Sequence, residues 1–263
     1  MTGMDPYKIW ISYYTMLRKD VVRMFRIWVQ TFLPSVVTSV LYFAVFGTVL
    51  GSRIGEMQGF NYMQFVVPGL VMLAVVTNAY ANTSFTFFQS KFFFRGIDEI
   101  LVSPTPPWVM IAGFISGGVI RGILVGALVL TISVFFTGLH LAVHNVLIIF
   151  GFGVLTALVF ALAGLVNGIY AKSIDGINLV PTFVLTPLVY LGGIFYSVHT
   201  LPGWWQAVTY INPLFYLING FRYGFLAISD IPIYVAVFIL LGLVAFLIAI
   251  NWYFIRTGLG LRQ

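Results

Sequence analysis

Few side chains in this sequence are typed and spaced for chemistry. His140, His144 and His199 sit in polar loops without the spacing of metal ligands. There is no HExxH, and no Ser, His and Asp set can be argued from spacing. Tyr170-Ala171-Lys172-Ser173 approaches a phosphate loop, but it has no glycines ahead of its lysine to let the backbone wrap a phosphate. With no cysteine in the chain, disulfides, thiol catalysis and Cys-ligated metal are excluded. Two features remain. Arg121 is the one charge well inside an apolar run, and a charge at that depth faces protein or water rather than lipid. It meets an anionic substrate group, joins an ion pair that changes between two states, or is satisfied by carbonyls and polar side chains of neighbouring helices. The other feature is residues 91–107, KFFFRGIDEILVSPTPP, which gather Lys91, Arg95, Asp98 and Glu99 between two membrane-length runs. That strip reads as a cytoplasmic handle for another protein, or as an ordinary connecting loop.

The elements that position these residues must be membrane helices. Of 263 residues, 60% are hydrophobic and 8% charged, with a mean hydropathy of +1.03. A soluble domain carries roughly 25% charged residues, so this chain cannot cover itself against water. Residues 57–90 are 34 positions without a charge, and only Arg121 interrupts the text between Glu99 and Lys172. Such runs are continuous rather than alternating, which points to helices and not a barrel. The expected fold is an all-α integral membrane protein. Residues 1–26 form a cytoplasmic amphipathic interfacial helix, and 27–263 a transmembrane domain of six helices at about 27–50, 62–87, 108–137, 145–170, 179–196 and 233–255. Residues 201–221 hold Pro202, Gly203, Gln206, Asn212, Pro213 and Asn219, too broken for a span. Short re-entrant helices on the outer side, about 197–222, are expected there, since irregular backbone survives at that depth only under protein or beside water.

In residues 6–26, Lys8, Ser12, Thr15, Lys19, Arg23 and Arg26 share one sector of a helical wheel, a stripe suited to anionic lipid or to an acidic partner surface. With six spans and both termini cytoplasmic, ten Lys and Arg fall inside and only Arg53 and Arg222 outside, which fits the positive-inside bias. The net charge of +6 is therefore topogenic, and no nucleic-acid partner is expected. Gly118, Gly122 and Gly126 form a repeated small-xxx-small pattern that admits a close helix neighbour. Within the handle, residues 96–101 suit a short helix with Asp98 and Glu99 at its positive end, stopped by Pro104, Pro106 and Pro107.

Three stretches carry a resemblance to a known family. They are Gly96-Ile97-Asp98-Glu99-Ile100-Leu101 ahead of Pro104, then Leu191-Gly192-Gly193-Ile194-Phe195-Tyr196 with Leu201-Pro202, then Asn212-Pro213-Leu214-Phe215-Tyr216 with Gly220-Phe221-Arg222. In this order the chain resembles, over nearly its whole length, the permease subunit of ABC-2 type transporters of bacterial inner membranes. The resemblance implies a homodimer of permeases bound to two copies of a separate ATPase, which holds the ATP and magnesium, with no cofactor in this chain. Arg95, Gly96, Ile97, Asp98, Glu99, Ile100 and Leu101 would couple to the ATPase, helped by the interfacial helix with Lys8, Lys19, Arg23 and Arg26. A substrate path would run between protomers, capped by the outer region of Gly193, Pro202, Asn212, Pro213, Tyr216 and Arg222.

The expected function is therefore the non-catalytic membrane subunit of an exporter, driven by ATP hydrolysis in another chain, with a lipid, glycolipid, polysaccharide or hydrophobic compound as cargo. The alternative is an ion-coupled secondary transporter or channel. That design needs titratable groups in the spans, and the spans as drawn contain no Asp or Glu. A membrane-embedded enzyme would need facing acids, bases or metal ligands, and the sequence offers none.

Overall fold

The computed structural model of the chain describes residues 5–93, 96–137 and 143–260. Helix α1 (Pro6–Arg26) opens with the Asp5 carboxylate accepting from the Tyr7 N–H and with Pro6 in the first turn, where its missing donor costs nothing. The chain breaks at Ile27 (φ −110°, ψ 38°) and continues as α2 (Trp28–Tyr42). A π-helical stretch, Phe43–Leu50, and a last turn, α3 (Gly51–Ile54), complete one long apolar helix from Trp28 to Ile54. Pro34 is accommodated inside it. Two two-residue strands, β1 (Glu56–Met57) and β2 (Phe60–Asn61), pair antiparallel around Gln58 and Gly59, both at positive φ. This hairpin is the only strand pairing among the described residues.

Helix α4 (Tyr62–Phe92) starts on a capping box of Asn61 and Gln64 and runs five residues past the expected end of the second span. A short α5 (Gly96–Val102) precedes α6 (Pro107–Thr137). Helix α7 (Val146–Tyr170) is capped by the Asn145 side chain, which accepts from Leu147 and Ile148. Then come α8 (Ile174–Val180), a π-helical turn (Pro181–Leu185) and α9 (Thr186–Tyr190), followed by a 3-10 turn at Val198–Thr200. Helices α10 (Gly203–Ile211), α11 (Pro213–Leu226) and α12 (Ile233–Thr257) close the chain.

Five helices among the described residues are long and apolar enough to cross a membrane: Trp28–Ile54, Tyr62–Phe92, Pro107–Phe135, Val146–Tyr170 and Ile233–Thr257. The expected fifth span, 179–196, is not a single helix. Apolar helix runs only from Ile174 to Tyr190, and Pro181 and Pro187 break its hydrogen-bond ladder into α, π and α pieces. Residues 191–196 are turns, with Gly193 at φ +75°. Helices α10 and α11, at 9 and 14 residues, rise only about 14 and 21 Å, short of the roughly 30 Å hydrocarbon layer.

Helix α4 is the axis of the bundle, and α6 and α7 flank it. Both approach it through glycine. A Cβ on Gly118 or Gly122 would press on the backbone of Ala79 and Val75, and one on Gly164 or Gly168 on the backbone of Tyr80 and Ser84. Lipid is as apolar as leucine and cannot drive such helices together, so close contact and interhelical hydrogen bonds must. Asparagines supply the bonds: Asn167 Nδ2 donates to Ser84 Oγ (2.9 Å) and Asn251 Nδ2 to the Leu162 carbonyl (3.1 Å).

Candidate functional site: a docking helix, a buried charge cluster and a lateral furrow

Helix α5 hangs between two long helices on one buried residue, Ile97, at 1% exposure. Asp98, Glu99, Leu101 and Val102 are all exposed. Ser103 ends the helix by donating to the Ile100 carbonyl (2.6 Å). An acidic pair beside bare apolar side chains is a surface another protein can grip. Arg95, expected to belong to this element, lies outside the described residues. Lys91, grouped with this strip on sequence, is not in water. It is buried, and its Nζ donates to the Ile169 carbonyl (3.0 Å) and the Gly260 carbonyl (2.5 Å). A cation there satisfies orphan carbonyls at the C-terminal end of α7 and ties in the turn after α12.

Behind α5 lies a cluster that sequence reading missed. Asp20 of α1 is 6% exposed and packs on Gly117 of α6, where a Cβ would run into its carboxylate. Asp20 Oδ1 pairs with Arg23 Nη2 (2.5 Å), and Oδ2 accepts from Asn82 Nδ2 of α4 (2.8 Å). Arg23 also donates to Gln89 Oε1 (2.8 Å), Thr86 Oγ1 (2.5 Å) and Asn82 Oδ1 (3.3 Å). Arg23 is therefore turned into the bundle, whereas Lys8 and Arg26 of the same stripe are exposed. Arg121 completes the group. Its Nη1 lies 3.4 Å from Asn82 Oδ1 and its Nη2 3.5 Å from the Thr31 carbonyl, and its Nε has no partner among the described residues. The available signal was that Asp20 is the only acid between Asp5 and Glu56, three residues before Arg23.

The wall between α2 and α8–α9 is a polar furrow. Ser35, Thr38, Thr77 and Asn78 line its first part, where Asn78 Nδ2 donates to Ser35 Oγ (3.0 Å). Tyr42, Tyr80, Asn178, Thr186, Tyr190 and Phe195 line a second part of about 860 Å³, mouth included. Among the described residues no charged side chain lines either part. The outward face of the long Trp28–Ile54 helix is an apolar stripe of Val29, Leu33, Val37, Leu41, Val45 and Val49.

The outer signature residues close the far end of the bundle. Arg222 of α11 is 4% exposed, lies 3.7 Å over the Phe65 ring, and donates from Nη2 to the Gly193 carbonyl (2.7 Å) and from Nε to the Phe65 carbonyl (3.3 Å). Gly193 adopts positive φ, so the turn that presents that carbonyl favours glycine there. Asn212 caps α11 through the Leu214 N–H and donates to the Leu188 carbonyl (2.6 Å), while Pro213 occupies the first helical position. Tyr216 donates to the Tyr210 carbonyl (2.6 Å), and Pro202 precedes α10. Sequence reading also missed an outer staple: Asp230 Oδ1 accepts from Gln58 Nε2 (3.0 Å) and lies 3.3 Å from His199 Nε2. Among the described residues no three His, Asp or Glu side chains converge as a metal site.

A helical membrane protein with a helix-lined furrow and charge concentrated at one end is a transport permease in form. Its sequence agrees: residues 11–226 match the ABC-2 type transporter family, and the chain belongs to that family. It is 51% identical over 254 residues to the inner membrane transport permease YadH of Escherichia coli K12, covering 97% of this chain and 98% of that one. It is 32% identical over 167 residues to the daunorubicin resistance ABC transporter permease protein DrrB1 of Streptomyces coeruleorubidus, covering 59% and 54%. Nodulation protein J of Rhizobium leguminosarum bv. viciae is 23% identical over 250 residues, 94% and 93% of the two chains.

Proposed function

We propose that this permease forms half of a homodimeric exporter in the bacterial inner membrane, with both termini cytoplasmic, and that a separate ATPase drives it by gripping α5. The exposed face of α5 carries this reading. A seven-residue helix held by Ile97 and the half-buried Ile100, with Asp98, Glu99, Leu101 and Val102 outward, turns most of its side chains away from the chain that displays it. Binding and hydrolysis of ATP in the partner would favour one position of α5 over another, which is the differential affinity coupling requires. The furrow supports the dimer. Ser35, Thr38, Thr77 and Asn178 face sideways at membrane depth, where uncovered polar groups are costly, and a second copy would cover them and enclose the substrate path. Aromatic rings, hydroxyls and amides without charge suit an uncharged or amphiphilic cargo: a lipid, a glycolipid, a polysaccharide or a hydrophobic compound. In this reading the broken α8–α9 unit acts as the sixth crossing, and α10 and α11 are re-entrant.

Asp20 is the one observation that favours an ion-coupled carrier, since it brings a carboxylate inside. Its oxygens are already taken by Arg23 and Asn82, however, which leaves little capacity for a transported cation. The test is the Asp98→Asn/Glu99→Gln double variant, purified from native membranes. Loss of the co-purifying ATPase, or of ATP hydrolysis coupled to it, is expected. Wild-type assembly and wild-type hydrolysis in that variant would refute the role given to α5.

A further inference from the structure

The charge cluster behind α5 holds two cations for one anion. Arg23 sits on the same helix as Asp20, and Arg121 sits on α6, one turn beyond the Gly117 that touches the Asp20 carboxylate. An i to i+4 step keeps both positions on one face of α6, so Arg121 belongs to the surface that Asp20 meets. Asn82 stands between them as a fork. Its amide nitrogen donates to Asp20, and its amide oxygen accepts from both Arg23 Nη2 (3.3 Å) and Arg121 Nη1 (3.4 Å). One amide group therefore bridges Arg121 and the carboxylate.

The two arginines are bonded unequally. Arg23 makes four contacts, two of them at 2.5 Å. Arg121 has only its two long contacts, and its Nε is buried without a partner among the described residues. A guanidinium whose Nε is buried without an acceptor carries a desolvation cost, and a carboxylate is the acceptor that would relieve it.

We propose that Asp20 is a positioning residue of the transport cycle: Arg23 holds it in the state seen here, Arg121 takes it in the other, and the exchange resets α1 against α4 and α6. This rests on the ATPase-driven reading above. The parts that must move have room and a joint. A cavity of about 550 Å³, mouth included, lies beside the cluster, lined by Asp20 and Arg23, by Gly113 of α6 and by Ile100 of α5. The break at Ile27 lets α1 pivot without bending α2, and the Thr31 carbonyl that Arg121 would release lies one turn past that break. A push on α5 thus reaches the cluster through Ile100.

The test uses the full permease in lipid nanodiscs, with and without its co-purified ATPase. The chain has no native cysteine, so nitroxides can be placed at the exposed Ile11 of α1 and Trp108 of α6. Two distance populations are expected, with trapping by ADP–vanadate favouring the second. Without nucleotide, Arg23→Gln should move the resting ratio towards the trapped population by on the order of tenfold, the usual size of a coupling between two sites. Arg121→Gln should move it the opposite way and abolish the response to trapping. Asp20→Asn should remove the response altogether. A merely structural cluster would give shifts of the same sign in both arginine variants; that result, or a wild-type response in Asp20→Asn, overturns the proposal. Should a Gln variant aggregate, the Lys variant is expected to shift the ratio in the same direction by less, and no shift or the opposite shift would overturn the exchange. If no ATPase co-purifies, the functional reading fails, while the opposed nucleotide-free shifts still decide the exchange.

Discussion

Two arginines at different depths of the bundle are treated differently. Arg222, on the outer side of the proposed topology, is buried, stacks on Phe65 and spends its donors on the Phe65 and Gly193 carbonyls, so it bolts α11 to α4 and to the 191–196 turns. Arg121, half-buried and nearer the inner side of that topology, reaches its two acceptors only at 3.4 and 3.5 Å and leaves Nε without a partner among the described residues. Burying a guanidinium is expensive in either place. Where the cost is met by close carbonyls, the side chain fixes one geometry. Where it is not, the neighbourhood retains a reason to rearrange. The outer region is fixed around its turns, and the exchange proposed for Asp20 needs an inner region that is not.

The comparison is tested most severely at the bolt. Arg222→Ala should strip two buried carbonyls of their donor and leave a void over Phe65, costing about 3 kcal/mol or more. The expected outcome is loss of a monodisperse peak in detergent. A stable Arg222→Ala protein would show that the outer end does not depend on this residue. Lys91 is also a buried cation and resembles Arg222, with two close carbonyls. Lys91→Met should cost about 2 kcal/mol for the two acceptors left behind. It should also loosen the turn after α12, read as faster amide exchange around Gly258–Gly260. Arg121→Gln, by contrast, should cost less than either in a thermal melt, about 1 kcal/mol, because it forfeits only long bonds. If Arg121→Gln proves as destabilising as Arg222→Ala, the inner arginine is a bolt too and the contrast collapses.

Much of the frame was legible because its punctuation is local. Asn145 and Asn61 cap helices, Pro104 follows α5, and Gly258 ends α12, all residues of the types that mark helix ends in a sequence. The small-xxx-small glycines likewise announced the close approach of α6 to another helix. What stayed hidden depends on partners far along the chain. Asp20 reads as one more polar residue beside a basic stripe until Asn82 and Gly117 are brought to it. Lys91 looks like the first residue in water, because the carbonyls that receive it belong to Ile169 and Gly260. In residues 179–196 the apolar character was legible and the helix geometry was not. Their apolar text is continuous, and Pro181 and Pro187 were present to be weighed; a chain uniform in hydrophobicity hides where its helix changes pitch.

The smallest expected effect separates charge from contact in the inner region. Tyr13 of α1 and Ser116 of α6 share a hydroxyl–hydroxyl hydrogen bond of 3.0 Å, one turn from the cluster and free of charge. Tyr13→Phe deletes that bond and keeps the ring, so it should cost no more than about 1 kcal/mol, the net worth of one neutral hydrogen bond. If the inner region is poised because one carboxylate is contested by two arginines, Tyr13→Phe should leave the ADP–vanadate response of the Ile11 to Trp108 distance intact, with Arg121→Gln abolishing it. If Tyr13→Phe abolishes it too, the α1–α6 surface as a whole sets the position of α1, and the difference between Arg121 and Arg222 is one of packing rather than of unmet charge.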